Sequence, residues 1–157
     1  MSPSQARNAI RKALVGIIDP KPRMTDLDAM WDHFQSSCAF CSTSLLRASR
    51  KGHADHLIPS THGGRNHVFN RVLACATCNG DEKLDGGWVD FLRIKTPDDE
   101  PEFTRRKTRI DAWQESRRAQ CRVSNETVAA ALIAVDEALV AFNQACAKVR
   151  TLRPAKH

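Results

Sequence analysis

The chain has 157 residues, 41% of them hydrophobic, which suits one domain, or one compact unit with helical additions, and excludes wholesale disorder. Lys and Arg outnumber Asp and Glu by 24 to 18, and the net charge of +6 favours a polyanionic partner. No apolar run approaches the ~18 residues that a membrane span needs, which argues against an integral membrane protein.

The first segment, MSPSQARNAIRKALVG, has charges on both sides of a short apolar stretch and reads as a helix rather than a signal peptide. Ala6, Ile10, Leu14 and Ile17 recur at helical spacing over residues 4–18, and Asp19-Pro20-Lys21-Pro22 ends the segment. A second helix is expected from Thr25, with Asp28 as its capping-box-like partner. Its buried face would be Leu27, Met30, Trp31 and Phe34. Cys38-Ala39-Phe40-Cys41 then reads as a tight knuckle. Two short strands are expected around 45–49 and 53–58, and 59–66 is a loop by composition. Residues 70–74 lead to a second knuckle, Cys75-Ala76-Thr77-Cys78, where a short helix begins and runs through Lys83. Asp85-Gly86-Gly87 breaks it, and 88–95 is helical again.

TPDDEP, at 96–101, reads as an acidic linker. The helix expected over 102–121 carries Arg105, Arg106, Lys107, Arg109, Arg117 and Arg118, with Arg122 just beyond. That cluster is either a phosphate-contacting face or a solvated one. The last helix starts at Ser124, a good N-cap. Val128, Leu132, Val135, Leu139, Phe142, Cys146 and Val149 follow in alternating steps of four and three, a heptad stripe. It suits a helical hairpin packed on itself or on the N-terminal helices, or a seam for a homodimer or partner protein. The chain thus divides into N-terminal helices (1–37), a chemically unusual middle (38–95) and a C-terminal helical extension (96–157). Their net charges are +1, +3 and +2, so the basic excess is diffuse.

Four of the six cysteines form the two CxxC pairs, and Cys121 and Cys146 stand alone in helical sequence. A secreted disulfide scaffold would show a signal peptide and more distributed spacings. Two CxxC pairs without one read as a single structural zinc site of Cys38, Cys41, Cys75 and Cys78, in a reducing, cytoplasmic setting. Zinc held by four thiolates has no open position for water, so its task is to fold a segment with little apolar area of its own.

Between and just after the knuckles lie Asp55-His56-Leu57-Ile58-Pro59, Gly63-Gly64, Asn70 and Asn79. In this order, CAFC, DHLIP, the Gly-Gly pair, Asn70 and CATCN resemble the HNH nuclease family in its zinc-stabilised form, over roughly residues 31–84. The resemblance implies an α+β, helix-rich fold with a small treble-clef-like ββα-metal core. It implies Asp55 and Asn79 as ligands of a catalytic divalent ion, His56 as the base that activates water, and Asn70 as the residue that holds the loop and orients the base. The residue chemistry agrees. An imidazole titrates near neutral pH and serves well as a general base. A carboxylate and an amide oxygen suit Mg2+, which keeps several waters and takes its other ligands from substrate phosphate. One departure is Asn79, where the third letter of the family name would put His; the amide favours Mg2+ or Mn2+ over softer metals. Lys83, His53 and Arg65 are candidate contacts to substrate.

The expected activity is metal-dependent hydrolysis of phosphodiester bonds in nucleic acid, with DNA the expected substrate. The alternatives are a non-catalytic zinc module that binds nucleic acid or protein, and a nuclease subunit of a larger complex. A purely structural zinc module would not require Asp55, His56 and Asn79 together. Asp55 and His56 are adjacent, and adjacent residues of a regular strand face opposite ways, so the strand must be irregular where they meet.

Overall fold

The computed structural model describes residues 1–152. Helices dominate, in the order α1 (Pro3–Ile18), α2 (Met24–His33), β1 (Gly52–His56), β2 (Arg71–Cys75), α3 (Trp88–Lys95), α4 (Glu100–Arg118) and α5 (Asn125–Thr151). The fold is α+β, with one two-stranded sheet. The chain divides into two compact units, residues 21–122 and residues 1–20 together with the chain from 123 onward. These boundaries differ from 37/38 and 95/96, because α2 and α4 bury side chains against the middle segment.

In the 21–122 unit, β1 pairs antiparallel with β2, Gly52 opposite Cys75 and His56 opposite Arg71. The strand expected at 45–49 is instead a 3-10 turn, Arg47–Ser49, closed by Arg50 at φ 55°. Leu45 is buried and Leu46 exposed, so the Leu-Leu pair marks a single anchor. The true partner is Arg71–Cys75, whose Val72, Leu73 and Ala74 are all buried. That continuous apolar run lacks the alternation of a half-exposed strand. Two five-residue strands are marginal alone, and the helices supply what they lack. Met30 of α2 and Phe34 just after it, Phe91 and Leu92 of α3, and Phe103, Ile110 and Trp113 of α4 close the core over the sheet. Trp113 also donates from its indole N–H to the Arg71 carbonyl at 2.7 Å. Helix α2 is capped two residues earlier than expected: Asp26, not Asp28, accepts from the Arg23 N–H at 2.9 Å.

Helix α4 accounts for most of the basic cluster. Arg105 grips Glu102 through two bonds, of 2.7 and 2.6 Å, and Arg106 also reaches Glu102 and the Phe40 carbonyl. The Arg105 hydrogen bond leads in holding the Glu102 carboxyl down at about 2. Lys107 pairs with Asp111, and Arg109 donates to the His33 carbonyl. Near the end of the helix, Arg117 lies over Trp113 and Arg118 over Phe69.

In the other unit, α1 is capped by Ser2 and Gln5 in a reciprocal box and packs on α5. Of the two packings open to α5, this is the one on an N-terminal helix. Arg11 reaches Asp136 across the pair at 2.9 Å. Val135 and Leu139 are buried, whereas Ile133 and Val149 of the same helix are 63% and 66% exposed. By length and a mean hydropathy of 1.5, α5 does reach the threshold for crossing a membrane. Asp136 and Glu137 stand at its middle, and each such carboxylate costs about 3 kcal/mol in a bilayer core, which argues against a span; within this unit only Val135 and Leu139 of the helix are buried.

Candidate active site and zinc centre

The first knuckle is built by backbone bonds at its base. The Cys38 N–H donates to the Thr43 carbonyl and the Ser42 N–H to the Cys38 carbonyl, each at 2.9 Å, with Ser42 at φ 61°. The Ala39 N–H then donates to the Leu73 carbonyl at 2.8 Å, which ties the knuckle to β2 and so to the second pair. The four sulfurs of Cys38, Cys41, Cys75 and Cys78 lie within 4.8 Å of one another. Four thiolates about 2.3 Å from a tetrahedral zinc stand about 3.8 Å apart; Cys41 and Cys75 are 3.7 Å apart. The donor set and the spacing fit zinc. Burial pushes the Cys38 thiol up to about 11 and, with the neighbouring thiols, the Cys78 thiol higher still. Burial acts the same way on Cys41, but hydrogen bonds led by that to Thr43 outweigh it and bring this thiol to about 7. Without a cation the cluster therefore holds protons that zinc must displace, so zinc retention falls as pH falls.

Beyond Cys75 the chain forms a widened π turn, Thr77–Glu82, closed by the Lys83 N–H on the Cys78 carbonyl at 3.2 Å. Such turns often mark functional sites. Here it carries Asn79 and Lys83 to the same polar cavity as the end of β1. The cavity, of about 230 Å3, is lined by Asp55, His56, Pro59, Ser60, Asn79, Lys83, Leu84 and Asp85. Asp55 and His56 both line it although β1 keeps a regular register through Asp55 opposite Val72 and His56 opposite Arg71, so the irregular strand expected there is absent; β1 ends at His56. Lys83 lies with its Nζ 3.0 Å from Asp55 Oδ2, the two side chains 1% and 10% exposed. Burial raises the Asp55 carboxyl above its ordinary value, opposed by the facing Lys83 ammonium.

Asn70 is buried and does not line the cavity. Its Oδ1 accepts from the Ile58 N–H, and its Nδ2 donates to the Ile58 and Arg65 carbonyls, all at 2.9 Å. It closes the loop that follows His56. The Gly-Gly pair serves the same closure: Gly63 has φ 77°, and a Cβ on Gly64 would stand 1.7 Å from the Ile58 carbonyl oxygen. Asn70→Ala is expected to lose about 2–4 kcal/mol, three hydrogen bonds with two carbonyls and an amide left unpaired. A drop in the melting temperature of the zinc-loaded protein checks this, and an unchanged melt contradicts it.

His53 is exposed on β1, paired opposite Ala74, and lies outside the cavity lining. Arg65 also lies outside it, its guanidinium 5.8 Å from the Phe69 ring that Arg118 approaches at 5.0 Å. Ser60, in the loop after DHLIP, and Asp85, at the break after Lys83, line the cavity as well. Their only signal was proximity to DHLIP and to Lys83.

Residues 38–83 match the HNH endonuclease family model. The match begins at the first knuckle and ends at the buried lysine, so the resemblance carried by CAFC, DHLIP and CATCN is borne out. A search of curated proteins finds no match to the chain. The HNH segment thus contains the whole zinc cluster and most of the cavity, and the flanking helices lie outside it. The cavity residues fit a hard divalent ion. Asp55 and Asn79 offer a carboxylate and an amide oxygen at one polar site. A cationic group, the Lys83 ammonium, already rests on that carboxylate.

Proposed function

We propose that the protein is a metal-dependent endonuclease that hydrolyses phosphodiester bonds of nucleic acid, DNA in the first instance. The observation that carries this reading is the convergence of Asp55, His56, Asn79 and Lys83 on one polar cavity inside the HNH segment. His56 takes the proton from the attacking water. Asp55 and Asn79 hold Mg2+ or Mn2+. The bound ion would polarise the scissile phosphate and offset charge on the departing 3′ oxygen. Asn70 keeps the loop after His56 closed, which fixes where the imidazole stands. A purely structural zinc module has no use for an acid, an imidazole and an amide gathered beside a buried lysine.

Arg65 and Arg118 both lie against Phe69 and join the loop of the HNH segment to the end of α4. They are the proposed contacts to phosphates flanking the cut. Such contacts confer affinity without reading sequence. The test is incubation of the purified protein with supercoiled plasmid, linear duplex, single-stranded DNA and RNA, each with Mg2+, Mn2+ or EDTA. Metal-dependent cuts in duplex DNA are expected. Cleavage of RNA alone would overturn the substrate, and no cleavage of any of them would overturn the enzyme.

A further inference from the structure

Lys83 is an unusual lysine. Its side chain is 1% exposed, and its Nζ lies 3.0 Å from Asp55 Oδ2. Taking an ammonium out of water is costly unless a carboxylate faces it. The residue is also fixed from behind: its N–H donates to the carbonyl of Cys78, a member of the four-cysteine cluster. Its backbone therefore cannot drift from Asp55 while the cluster stands. A carboxylate has two oxygens, so the lysine can engage Oδ2 and leave Oδ1 as a donor for a metal ion. Two cations on one carboxylate repel each other strongly in a partly desolvated site.

We propose that Lys83 is the resident counter-cation of the divalent-metal site, holding Asp55 in place when no metal is bound and weakening metal binding until an anionic substrate arrives. The inference rests on Asp55 being a metal ligand. The phosphates of a bound nucleic acid offset the excess positive charge, so metal loading and substrate binding favour each other. Lys83 is thus a positioning residue acting through Asp55. The cleavage centre is armed when both partners are present.

The test is a titration of the zinc-loaded, full-length protein with Mn2+, free Mn2+ being read by electron paramagnetic resonance without nucleic acid. Lys83→Met and Lys83→Gln are expected to bind Mn2+ at least ~10-fold more tightly than wild type, since they remove a like charge beside the ion. Lys83→Arg, which keeps the charge, should stay near wild type. Zinc content reports folding, and if the Met variant loses zinc the Gln variant decides. Binding that depends on Asp55 but is no tighter in the neutral variants overturns the proposal alone. Binding unaffected by Asp55→Asn overturns the ligand assignment, and the proposal with it.

Discussion

His56→Ala is expected to lower the rate of cleavage by about 10²–10⁴-fold, the usual contribution of a positioned acid–base group. Zinc content and melting temperature should remain those of the wild type. His56 closes β1 opposite Arg71, lines the cavity and does not belong to the hydrophobic core closed by α2, α3 and α4. The loss should therefore appear in kcat with the fold intact. A variant that cuts at the wild-type rate under Mg2+ would remove the imidazole from the chemistry, whatever the remaining cavity residues do.

Cys38→Ser is expected to have the largest effect on folding. Structural zinc in small domains contributes about 10–16 kcal/mol, comparable with or larger than the ~5–15 kcal/mol net stability of a whole domain. Here the cluster clips the first knuckle to the end of β2 and anchors the turn that carries Asn79 and Lys83. A lost ligand would release the end of the sheet where Cys75 faces Gly52, and the protein should lose its zinc together with its cooperative melting transition. Activity would vanish as a consequence. Acid should act in the same direction: the raised Cys38 and Cys78 thiols compete for protons, so stepwise acidification should release zinc before the metal-free protein changes further. A Cys38→Ser protein that melts like the wild type would show that the cluster is not structural.

The chemistry was more legible in the sequence than the fold was. DHLIP and the two CxxC pairs are short motifs in which each residue type has its own chemical task, and the structure brings Asp55, His56 and Asn79 to one cavity. The true partner of β1 was less visible, because Val72, Leu73 and Ala74 are buried on both sides and show no alternation. The strand expected at 45–49 does not form, since of Leu45 and Leu46 only Leu45 is buried in the core. Helix α4 read as a basic surface, and Phe103, Ile110 and Trp113 were hidden among its arginines. Two of those arginines, Arg105 and Arg106, are held by Glu102, and Arg109 reaches back to the His33 carbonyl of α2. Lys83 could be placed in the segment but its burial could not be foreseen, since it follows from the widened turn rather than from any local pattern. Asn70 fell between: its motif position suggested loop-holding, and its three bonds to Ile58 and Arg65 supply the physical means.

Two metals with separate tasks are proposed, a structural zinc and a catalytic divalent ion. The most direct test follows nicking of supercoiled plasmid by the zinc-loaded protein, first with Mg2+, then after EDTA, then after Mg2+ is restored, with zinc measured at each step. The prediction is cleavage that stops with EDTA and returns with Mg2+ while the zinc content stays constant. Cleavage that continues in EDTA, or plasmid left uncut in Mg2+ by fully zinc-loaded protein, would contradict it.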